Sequence, residues 1–121
     1  MSRTVDLFID SDQPLEQVAV QLSELAQSVL VASPDRSRFL WQEGPVTAYL
    51  AEHDFLDDDD LPLSEFRYVL SAPVRSAGPI DDSAEVAFLR RVNSQLRQSA
   101  ALPSLLVIDL ERLDPVQMEQ M

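Results

Sequence analysis

The sequence predicts an α+β fold in which two helices cover one face of a mostly antiparallel sheet. Three observations point there. Short segments of alternating or continuous apolar character, such as Thr4–Ile9 and Leu105–Leu110, have the period and length of strands. Two longer segments repeat apolar residues at three- and four-residue steps, as a helix buried along one stripe does. At 121 residues the chain fits one domain and can bury a core without staples.

Thr4–Ile9 opens the fold as a strand, with Val5, Leu7 and Ile9 on one face. Ser11 and Asp12 supply cap oxygens, and Pro14 suits the first turn of a helix. Leu15, Val18, Ala19, Leu22, Leu25 and Ala26 then form its apolar stripe, to about Gln27. Val29–Ala32 either extends that helix or starts a short strand, and Ser33–Ser37 reads as a turn. Arg38–Gln42 is a strand broken by Gly44-Pro45. Val46–Glu52 alternates, burying either Val46, Ala48 and Leu50 or Thr47, Tyr49 and Ala51. Arg67–Val74 is the next strand, paired antiparallel with Val46–Glu52, and Pro73 marks its end or an edge position. Asp82 and Glu85 fit a capping box for a helix that turns Val86, Leu89, Val92, Leu96 and Ala100 inward. Pro103 stops that helix, and Leu105–Leu110 is a strand covered on both faces. The order β-α-β-β-β-α-β is a ferredoxin-like β-α-β-β-α-β frame with an additional strand. Residues 1–113 form the domain and 114–121 a polar tail.

Acids outnumber bases 21 to 9, a formal charge of −12. That repels nucleic-acid phosphates and anionic lipid and attracts basic proteins. No cysteine is present, which removes disulfides and thiolate chemistry, and every basic residue other than His53 is arginine. The first residues lack the apolar run of a signal peptide, and no stretch reaches the ~18 apolar residues of a membrane span, so a cytoplasmic protein is expected.

The acids are unevenly spread. Residues 43–65 carry Glu43, Glu52, Asp54, Asp57, Asp58, Asp59, Asp60 and Glu65, with no Arg among them. Tyr49 lies beside them in sequence as an aromatic anchor, and Trp41 is read as core. The acidic zone is therefore nominated as a partner-binding surface, with Glu43, Tyr49, Glu52, Asp54 and Asp57–Asp60 as its residues. The plainer reading is a solvated loop that keeps a strand edge soluble.

Most enzyme chemistry is excluded. Two glycines, Gly44 and Gly78, build neither a phosphate loop nor a dinucleotide fingerprint. A single histidine without cysteine provides no common zinc site. His53, flanked by Glu52 and Asp54, is either a general base or protonation switch, or a surface histidine at a strand end. Asp54 and Glu65 have the first-to-last spacing of a calcium loop, but Leu56 and Asp59 occupy positions that need an oxygen ligand and a glycine. No cofactor, metal or catalytic residue is assigned.

Three segments resemble the small acidic immunity proteins of bacterial polymorphic toxin systems found in actinobacteria. They are VDLFID (Val5–Asp10), YLAEHDFLDDDD (Tyr49–Asp60) and LLVIDLERL (Leu105–Leu113). The resemblance implies a non-enzymatic antidote that binds a cognate toxin and blocks its active site; for this chain a monomer or weak homodimer is expected. Such toxins are often nucleases with basic clefts. The alternative from a different class is a ferredoxin-like regulatory or dimerisation module that binds a small ligand or a partner protein.

Overall fold

The computed structural model describes residues 3–53, 65–75, 78–98, 102–108 and 112–113. In chain order the elements are β1 (Arg3–Ile9), α1 (Leu15–Ala26), β2 (Val31–Ala32), β3 (Arg38–Glu43), β4 (Val46–Glu52), β5 (Tyr68–Val74), α2 (Ala84–Gln98), β6 (Ser104–Ile108) and β7 (Arg112–Leu113). The strands form one sheet in the order β2-β3-β4-β5-β1-β6-β7, with every pairing antiparallel. The α+β class is as expected. The two-residue strands β2 and β7 extend the sheet beyond the expected order.

The register explains which residues form the core. The row Ala32, Phe39, Leu50, Leu70, Leu7 and Leu106 crosses six strands on one face. Phe39 through Leu106 in that row are buried, and the same cluster takes in Val18 and Leu22 of α1 and Val86, Leu89 and Leu96 of α2. Both helices thus cover this face. Trp41 is 1% exposed and meets Phe88 edge to face, with ring centroids 4.8 Å apart. Of the two alternatives for β4, Val46, Ala48 and Leu50 are the buried set.

The opposite face is uneven. Its row runs Val31, Leu40, Tyr49, Ser71, Asp6, Val107. Val31 is 59% exposed, whereas Asp6 and Val107 are buried. Phe8, Val69, Leu105 and Val107 form a second buried cluster on the β5-β1-β6 half, with Phe66 packed against it. Hence β1 and β6 are buried on both sides, as the continuous run at Leu105–Leu110 predicts for the latter.

The helix starts differ from the expected ones. Pro14 sits at the N-cap of α1, and Ser11 instead accepts from the Gln13 N–H at 3.1 Å, outside the helix. The expected capping box at Asp82 is displaced by one residue. A single 3₁₀ turn, Ile80–Asp82, leaves Ser83 at the helix start. The Ser83 hydroxyl donates to the Ile80 carbonyl at 2.7 Å and accepts from the Val86 N–H at 3.2 Å. Glu85 is consequently buried, with no donor reaching its Oε1. Gly44 adopts φ +57° ahead of Pro45, so this pair turns a two-residue β3-β4 hairpin. Pro73 pairs across to Thr4 of β1 beyond Ser71, the last β5 residue matched to β4, so its missing N–H costs no ladder bond there.

Candidate functional site

Strand direction sorts the connections between two ends of the sheet. β1 and β4 finish at one end, where β3, β5 and β6 begin. The β1-α1 link, the Ser33–Ser37 turn, the anchors of the β4-β5 connection and Leu102–Pro103 all gather there. The Asp10 N–H donates to the Pro103 carbonyl at 2.9 Å, and the Tyr68 hydroxyl donates to the Gln13 carbonyl. Asp10, Asp12, Glu16, Asp35, Glu52 and Glu65 therefore share this end, against Arg36, Arg38, Arg67 and Arg97. At the other end Arg3, Arg75 and Arg91 offset Glu24, Glu43 and Asp82.

Two of the acids are paired. Glu16 binds Arg36 at 2.7 Å and Glu52 binds Arg67 at 2.8 Å, and all four side chains are at least half exposed. Such pairs contribute ~0–1 kcal/mol and exchange partners readily. Asp10, Asp12 and Glu65 are exposed and form no ion pair among the described residues. Asp35 is held ionised by its own turn. The Ser37 N–H and the Ser37 and Ser33 hydroxyls donate to it, which lowers its pKa to about 2.

His53 closes β4. Its N–H donates to the Arg67 carbonyl at 3.3 Å, its Nε2 contacts the Phe66 carbonyl, and its ring stands edge-on to Phe8 at 4.9 Å. The half-buried ring thus fastens the strand end to the second apolar cluster. Beside the acids, Asp10, Ser11, Asp12, Gln13, Gln21, Leu102 and Pro103 line an open hollow of about 480 Å³. The Gln21 Oε1 is buried without a donor. Carboxylates, amide oxygens and a short apolar wall suit a cationic side chain. Among the described residues, no three His, Asp or Glu side chains are placed to hold a metal ion. No described helix is long and apolar enough to cross a membrane.

The residues nominated from sequence do not converge where they are described. Glu43 and Glu52 lie on the helix-covered side of their strands but at opposite ends of β4, about 20 Å apart at strand rise. Glu43 is bound to Arg91 of α2. Tyr49 points to the opposite face, beneath Arg38. Asp54 and Asp57–Asp60 lie outside the described residues. What the linear reading missed is the company at this end: Asp10, Asp12, Glu16 and Asp35. Each follows a strand or occupies a turn or first helical turn, yet only the strand order brings them together. No family model, no curated protein and no solved structure matches the chain.

Proposed function

We propose that this chain is a non-enzymatic binding protein, an immunity protein that neutralises a cognate toxin by laying its acidic end over a basic site such as a nuclease cleft. One observation carries the reading. The connection that bears Asp54 and Asp57–Asp60 leaves from β4 and returns to β5 at the sheet end that also carries Asp10, Asp12, Asp35 and Glu65. An excess of negative charge at one end steers a basic partner and speeds its association. The reading places the protein in the cytoplasm beside its partner, with no cofactor, no metal and no turnover.

The test is genetic first and kinetic second. The neighbouring open reading frame should encode a protein with a basic toxin domain whose expression arrests growth, and co-expression of this chain should relieve the arrest. Replacing Asp57–Asp60 with Asn should slow association and flatten its salt dependence while leaving thermal stability nearly unchanged. A neighbouring product that neither arrests growth nor binds this chain would sink the reading.

A second reading rests on the strand order. The order β4-β5-β1-β6, with α1 after β1 and α2 after β5, supports a ferredoxin-like frame to which β2 and β3 add an arm. Such a frame also serves regulatory and dimerisation modules. Sedimentation at two concentrations separates the readings: a dimer that persists on dilution favours the second.

A further inference from the structure

The geometry points to a second binding surface, on the face of the sheet away from the helices: the open half of this outer face binds an extended segment of a partner protein that carries apolar side chains and a carboxylate. Four observations converge there. First, burial along the outer row falls from Val107 to Val31, so the β2-β3-β4 half is the uncovered part of an otherwise buried face. Second, Val31 stands at its rim and Val29 precedes it by two residues, 59% and 76% exposed, with Leu40, Tyr49 and Ala51 half-buried on the strands beside Val31.

Third, no described strand residue turns an exposed carboxylate onto the patch. The strands turn Glu43 and Glu52 to the other face, and Asp6 is the sole described strand carboxylate on this one. It is buried and accepts the Thr4 hydroxyl at 2.9 Å. In a chain with 21 acids, the described outer face of β2, β3 and β4 thus sets no exposed carboxylate of its own against an incoming one. Fourth, the charge on the patch is the Arg38 guanidinium, which binds no described carboxylate. Arg36, Arg67 and Arg91 each pair with a carboxylate. Arg38 pairs with none among the described residues and lies 5.0 Å over the Tyr49 ring, which fixes its position. A carboxylate arriving there gains a charge-assisted bond beside apolar contact.

Size selects the occupant. Three strands at about 4.8 Å spacing give a patch roughly 15 Å wide, too small for the ~800 Å² per partner of a stable dimer and suited to one extended segment. The free edge of β2 offers that segment backbone pairing as well.

The experiment uses the full chain and three capped tetrapeptides, acetyl-Leu-Val-Leu-X-amide with X as Glu, Gln or Lys, followed by amide and arginine-side-chain NMR. The Glu peptide should shift Val29, Val31, Leu40, Tyr49 and the Arg38 Nε–H. It should bind roughly tenfold more tightly than the Gln peptide. Arg38→Gln should remove that difference without lowering the melting temperature. Shifts confined to other surfaces, equal binding of the Lys peptide, or an unaltered Glu preference in Arg38→Gln would each overturn the proposal. Concentration-dependent shifts of the same residues without peptide would overturn it in favour of a second copy of the chain.

Discussion

Asp35 shows how much a short turn can do with three donors. Its folded pKa of about 2 lies below the ordinary aspartate value, so the folded state holds the charged form more firmly than the unfolded chain does. The stabilisation is present above about pH 4 and disappears as pH falls through about 2. A carbon-detected titration of the Asp35 carboxyl should show a midpoint near 2, and Asp35→Asn should remove its share of the acid-side fall in melting temperature. Tyr68 shifts the other way. Burial raises its pKa, Glu52 adds to the rise, and Arg67 opposes it. Its neutral hydroxyl supports the fold below the ordinary tyrosine value and is lost as pH rises through the folded one. Ultraviolet titration should show one of the two tyrosines lagging. Tyr68→Phe leaves the Gln13 carbonyl without this donor and should cost about 1–3 kcal/mol in urea unfolding. Neither effect is legible from sequence. Asp35 sits in a turn signal, but which serines reach it depends on the left-handed Arg36 at φ 59°, and Tyr68 is one of two tyrosines with equal claims to the core.

Among the elements, periodicity was the dependable guide and capping the unreliable one. The strand Val46–Glu52 was legible to the residue, because seven residues of alternating character admit one period. Its buried face was not, since Thr47, Tyr49 and Ala51 form an equally regular row until the partner strands fix the side. β2 stayed one of two alternatives for Val29–Ala32, a helix extension or a short strand, because two residues carry no period. The α2 start slipped by one position because Asp82 and Ser83 are both good caps, and only the preceding 3₁₀ turn decides between them. Ser83→Ala should therefore destabilise by about 1 kcal/mol, whereas Asp82→Ala should change little. α1 ends on Gln27 at φ 53°, in the left-handed region that a side chain disfavours. Gln27→Gly should stabilise by about 0.5–1 kcal/mol in thermal unfolding, against the general tendency of glycine to weaken a fold.

Across the whole molecule, two sheet faces with different cover give different sensitivities. Leu106 is fully buried in the helix-facing row, and Leu106→Ala should cost about 2–5 kcal/mol. Leu40→Ala, on the open half of the other face, should cost less than about 1 kcal/mol, and urea midpoints for the pair measure the contrast. The acidic character of the site was legible in sequence as one dense segment, but its extent was not. Asp10, Asp12 and Glu16 lie far in sequence from the dense segment and from Asp35, and share a sheet end with its anchors only through a strand order that sets the end of β1 beside the start of β5. That placement also governs how the protein is made. On a ribosome the hairpins of β2, β3 and β4 can close early from local contacts. The first strand synthesised must wait for residues 68–74, and then for residues 104–108, before both its edges are paired. A nascent chain cut short before Ser104 leaves one edge of its central strand bare, so premature termination yields an aggregation-prone fragment and not a smaller working protein.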